Sequence, residues 1–205
     1  MPLLTTVASG GVKGLGWSSP PLGEELGGMV LLKPTSIDYT GTSATVGADG
    51  TVDFSDATSL SLNGIFSANY DNYMFQITSF SSASRPDFRW RLRASGGPDE
   101  SGSYYNRQYI YANSSAIALN RDASPTTFAQ IITTSSTNIS GATGYFYGPF
   151  LASPTSGRTL CTVGDGMLIE HIYTQSLSVS YDGFTLIPNS GTATGSISVY
   201  GLVGA

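Results

Sequence analysis

The chain has 205 residues and a mass of 21.4 kDa, enough for one β-rich domain or for one domain with an arm. A net charge of −5 excludes a nucleic-acid backbone as partner, because that surface requires dense Lys and Arg. Hydrophobic residues make up 40% and charged residues only 11%, while Ser, Thr and Gly number 30, 22 and 25, which is the composition of many short strands joined by tight turns.

The longest aliphatic run is Met29-Val30-Leu31-Leu32, so no membrane insertion is expected. The opening MPLLTTVASGG has no basic stretch before its apolar residues, so no secretory signal is expected. Cys161 is the one cysteine and His171 the one histidine. Together they make neither an intrachain disulfide nor a zinc site, so stability is expected from packing or assembly, with no cofactor.

Residues 1–28 read as an extended attachment arm. They hold Gly10, Gly11, Gly14, Gly16, Gly23, Gly27 and Gly28 around Pro20-Pro21, with neither strand nor helix periodicity. Ordering such a segment costs ~1–2 kcal/mol per residue, so it is expected to be held by the domain or by a neighbouring subunit. Leu3, Leu4, Val7, Leu15, Trp17 and Leu22 are its candidate anchors.

Residues 29–205 read as a β-sandwich domain. Thr42–Val46 and Thr51–Phe54 flank Ala48-Asp49-Gly50, a hairpin signal. Leu60 and Leu62 alternate with serines, and Tyr73, Phe75 and Ile77 alternate with Met74, Gln76 and Thr78. In Asp87–Ala94, Phe88, Trp90 and Leu92 share one face and Arg89, Arg91 and Arg93 the other. Further strands are expected at 104–112, 127–133, 144–151, 159–163, 167–179, 184–187 and 196–202. Ser81–Asp87, Gly96–Ser103, Asn113–Asn120 and Ser153–Arg158 are expected as exposed loops. No helix of ordinary length and no internal repeat is visible. The expected fold is an all-β, antiparallel sandwich of jelly-roll type with an N-terminal arm.

In 167–179, Met167, Ile169, His171, Tyr173, Leu177 and Val179 are expected on one face. Leu168, Glu170 and Ile172 lie on the other. A strand apolar on both faces is covered on both sides. Leu168, Glu170 and Ile172 are therefore a candidate subunit interface. The arginine ladder is a second: three like charges on one face require compensation, from carboxylates on adjacent strands or from an acidic partner.

Chemistry is sparse. Cys161, His171 and Asp165 are the one nucleophile set available, against a buried thiol and a hydrogen-bonded core histidine, which is the expected outcome. Glycoside hydrolysis needs two carboxylates across a cleft. Of Glu170, Asp87 and Asp99-Glu100, the last pair reads as a solvated loop. Asp49, Asp53 and Asp56, or Asn69, Asp71 and Asn72, offer oxygens to calcium but are expected as Asx turns, so no metal is expected. The clustered tyrosines (Tyr104, Tyr105, Tyr109 and Tyr111 among them) suit core edges and subunit seams, or, beside Asn or Arg, the stacking of sugar rings.

Four stretches carry a resemblance. They are Ser59-Leu60-Ser61-Leu62-Asn63-Gly64-Ile65-Phe66 running on to Tyr73, Arg89-Trp90-Arg91-Leu92-Arg93 followed by glycines and Tyr104-Tyr105, Gly148-Pro149-Phe150, and Gly195 to Leu202. Over residues 55–202 the chain resembles a broad group of tailed-bacteriophage virion proteins, the β-rich modules of tail fibres and particle surfaces. The resemblance implies a non-enzymatic structural protein on the virion surface. It also implies a homo-oligomer, as a rule a trimer, partnered by the major capsid protein or a tail component. A capsid decoration or cement protein is the first expectation. A short tail-fibre or receptor-binding module is the alternative, and a lectin-like protein that binds a host surface glycan is another.

Overall fold

The computed structural model describes residues 28–80, 87–94, 97–121, 126–133, 138–164 and 166–203. The anchors Leu3, Leu4, Val7, Leu15, Trp17 and Leu22 lie outside the described residues, as does Asp165. Fifteen strands are present and no helix among the described residues. They are β1 (Met29–Leu32), β2 (Ser36–Thr40), β3 (Ser43–Val46), β4 (Val52–Ala57), β5 (Ser59–Asn63), β6 (Asn72–Phe80), β7 (Asp87–Arg93) and β8 (Tyr105–Ala112). There follow β9 (Ile117–Arg121), β10 (Ala129–Thr133), β11 (Ser140–Tyr147), β12 (Thr155–Val163), β13 (Met167–Gln175), β14 (Gly183–Pro188) and β15 (Ala193–Leu202).

The strands form an antiparallel sandwich of two sheets of unequal width. The wide sheet has ten strands in the order β3-β4-β15-β6-β11-β12-β13-β8-β9, with β1 also paired to β15. The narrow sheet has five, β10-β7-β14-β5-β2. Alternation decides which side chains enter the space between them. Phe88, Trp90 and Leu92 of β7 and Phe184 and Leu186 of β14 meet Tyr73, Phe75, Ile77, Phe146 and Tyr173 of the wide sheet. Trp90 sits at the centre, edge-on to Tyr105, Phe146 and Tyr173 with ring centroids 5.5, 5.0 and 5.0 Å away. Such pairs add to the burial of their area.

Buried tyrosine hydroxyls are tied to backbone. Tyr105 accepts from the Leu92 N–H at 3.0 Å and donates to the Glu100 carbonyl at 2.9 Å, and Tyr173 donates to the Tyr145 carbonyl at 2.8 Å. Burial raises the pKa of both phenols. The predicted hairpin is present between β3 and β4. Gly50 takes φ +103°, and the Asp49 carboxylate accepts from the Thr51 N–H at 3.0 Å, an Asx turn.

Several boundaries differ from the sequence expectation. β13 ends at Gln175 rather than Val179, because the Gln175 Oε1 accepts the Leu177 N–H at 3.1 Å and turns the chain away. Asn113–Asn120 is not a loop. Asn113 Oδ1 accepts the N–H groups of Ser115 and Ala116, both at 2.9 Å, and this tight turn delivers β9. Of Ser153–Arg158, the part from Thr155 onward belongs to β12. β11 begins at Ser140 and stops at Tyr147, where Gly148 (φ +69°) turns the chain.

Candidate functional site

The wide sheet has twice as many strands as the narrow one, and its β8-β9 end runs past the edge strand β10, which packs over β12 and β13. This end of the wide sheet presents two surfaces, one on each face.

On the outer face, register aligns three cross-strand rows. Ile117, Ala112, Leu168 and Thr162 form the first, and Leu119, Ile110, Glu170 and Leu160 the second. The third is Arg121, Gln108, Ile172 and Arg158. The apolar members are open to solvent in the single chain: Ile117 is 79% exposed, Leu119 72%, Leu160 51%, and Ile110, Leu168 and Ile172 are also exposed. In their midst Arg158 and Glu170 form an exposed ion pair at 3.8 Å, of a kind worth little by itself. The candidate interface Leu168, Glu170 and Ile172 thus belongs to a larger apolar patch that extends onto β9, a strand where the sequence predicts a loop.

On the inner face lies a groove of about 420 Å³. Tyr109 and Tyr111 of β8 and His171 of β13 line it from the wide sheet, and Asp87 of β7 and Gln130 of β10 from the narrow one. Asn113, Met167 and Ile169 complete its lining. The rings form a tilted series, with Tyr111 to Tyr109 centroids at 6.3 Å and Tyr109 to His171 at 5.6 Å. The Tyr109 hydroxyl accepts from Asn120 Nδ2 at 3.1 Å, and Arg107 donates to Gln130 Oε1.

His171 corrects an expectation. It is only 1% exposed, as expected of a core residue, yet neither Nδ1 nor Nε2 has a hydrogen-bond partner. Burial first, and the Arg107 charge second, lower its pKa to about 4, so the ring is neutral near pH 7. A neutral imidazole offers one N–H donor and one acceptor. Thr159, not Cys161, is opposite it in the ladder, and the buried Cys161 thiol donates to the Ile169 carbonyl at 3.3 Å.

The arginine ladder is engaged within the chain. Arg93 reaches Asp99 at 3.2 Å and Asp38 at 3.7 Å, and donates to Ser61 Oγ at 2.8 Å. Arg91 Nε donates to the Thr127 carbonyl at 2.8 Å, and the Arg89 guanidinium lies 3.9 Å over the Phe128 ring. Burial lowers the pKa of Arg89, and the neighbouring Arg107 adds to this. Asp99-Glu100 is therefore no solvated loop: Asp99 also accepts from Thr185 Oγ1 at 2.5 Å, and Glu100 from the Gly102 N–H at 2.9 Å. Among the described residues no three His, Cys, Asp or Glu side chains cluster as metal ligands.

No protein-family model matches the chain, and no curated protein does. Similar solved structures include a protein of unknown function from Shewanella oneidensis MR-1, with TM-score 0.38 and 12% identity over 85% of this chain and 79% of that one. A legume lectin-like domain from Entamoeba histolytica aligns with TM-score 0.40 and 13% identity over 82% of this chain and 90% of that one. The carbohydrate-binding and catalytic modules of Clostridium thermocellum xylanase 10B align with TM-score 0.29 and 8% identity, over 84% of this chain and 28% of that one. At these scores nothing about ligand or activity transfers to this chain.

Proposed function

We propose that the chain is a non-enzymatic structural protein of a tailed-bacteriophage particle surface, in first place a capsid decoration protein. It assembles through the outer face of the wide sheet and attaches through residues 1–28. The observation that carries this reading is the apolar patch around Leu168 and Ile172, continuous with the exposed strand β9. Soluble monomers rarely leave large contiguous apolar patches uncovered, and a bare, apolar edge strand invites pairing with another chain. A closed cyclic oligomer covers both. The resemblance of residues 55–202 to phage virion modules supplies the particle.

Sedimentation of the full chain is expected to give a trimer. Leu168→Lys with Ile172→Lys is expected to give folded monomers with an unchanged circular dichroism spectrum. A native chain that is monomeric at tens of micromolar overturns the assembly reading. Location is tested by labelling intact particles with an antibody against residues 29–205. Label over the whole head is the expected outcome, label at the tail end replaces decoration with a fibre or receptor-binding role, and no label overturns the virion assignment.

A further inference from the structure

We propose that the groove on the inner face binds a neutral sugar ring. Four observations converge on that chemistry. First, Tyr109 and Tyr111 present adjacent aromatic faces, and one C–H face of a pyranose is a flat apolar surface that packs on such rings. Second, the polar groups suit hydroxyls, which both donate and accept. Asp87 brings an acceptor, Asn113 and Gln130 bring amide donors whose carbonyl ends are already occupied, and His171 brings one of each.

Third, the two His171 nitrogens are buried on the groove wall without a partner. Leaving a buried polar atom unsatisfied costs ~1–3 kcal/mol, a cost that a ligand hydroxyl removes when the ring turns a nitrogen into the groove on binding. Fourth, charge selects against anions: among the described lining residues Asp87 is the charged side chain, while Arg107 is turned to Gln130 and the Phe128 ring. The volume of about 420 Å³ falls within the range of small-ligand sites, about 300–1,000 Å³, and the aromatic lining with a few convergent polar groups is their usual composition. The outer apolar face plays no part in this argument, so the sugar site and the assembly reading stand or fall separately.

The test uses the full chain on an array of neutral hexose, N-acetylhexosamine and deoxyhexose oligosaccharides, with sialylated and sulfated glycans beside them. The methyl glycoside of the best neutral terminal sugar is then titrated calorimetrically and by NMR of the single histidine ring. Expected are binding to a neutral class, movement of the His171 ring resonances on titration, and at least a tenfold loss of affinity in Tyr111→Ala. Tyr111→Phe keeps the stacking face and is expected to stay within about threefold of the native chain, which separates lost stacking from a damaged fold. Three results overturn the proposal: no neutral glycan binds, sialylated or sulfated glycans alone bind, or a neutral sugar binds with the His171 resonances unmoved and Tyr111→Ala unaffected.

Discussion

His171 has both ring nitrogens buried without partners, and this has a consequence for stability as well as for binding. Its pKa falls from 6.5 to about 4 on folding, chiefly through burial. Between those values the unfolded chain holds the proton and the folded chain does not, so stability is lost as the pH drops through that window. A shift of this size is worth roughly 3 kcal/mol. Urea unfolding at pH 7.5 and pH 4.5 is expected to show the native chain losing about 2–3 kcal/mol more than His171→Phe does, the carboxylates cancelling in the difference. Equal losses would mean that the ring is not desolvated. Alternation within β13 was enough to place this histidine inward from the sequence. Its lack of partners was not legible, because it depends on where the opposite sheet stops.

At the scale of strands, β7 shows what alternation gives and what it withholds. Trp90 inward and the arginines outward follow from a period of two. The compensating groups do not, since Asp38 lies on β2, three strands away beyond β14 and β5, and Asp99 arrives on the loop that follows β7. Arg93 has a side chain 14% exposed among two carboxylates and two hydroxyls, so its removal takes the cation from Asp99 and leaves that carboxylate with the Thr185 hydroxyl. Arg93→Gln is expected to cost about 1–3 kcal/mol in urea unfolding, with the oligomeric state of the folded fraction unchanged. A variant that folds normally but fails to assemble would restore the ladder as an interface. The same limit hid β2 and β9, whose residues SIDYT and IALNR carry weak alternation and become strands because β5 and β8 offer them edges to pair with.

At the scale of the whole molecule, the sandwich class was legible from composition and turn spacing, but the unequal widths of the sheets were not. That inequality is set by long-range pairing, and it opens the groove on the inner face. Strand order has one more effect. β15, the last strand, lies between β4 and β6 inside the wide sheet, and β1 also pairs with it, Met29 opposite Leu202. Until β15 is in place, β3-β4 and β6-β11-β12-β13-β8-β9 are separate ribbons with open edges. A chain stopped after Ser190 is expected to give no cooperative unfolding transition and to aggregate, whereas a cooperative transition would show that the ribbons join without their seam. On the ribosome the order of synthesis then acts as a timer. The nascent chain carries the facing edges of β4 and β6 unsealed until β15 has emerged, whereas the strands of the outer apolar patch, β8, β9, β12 and β13, have all been made by then.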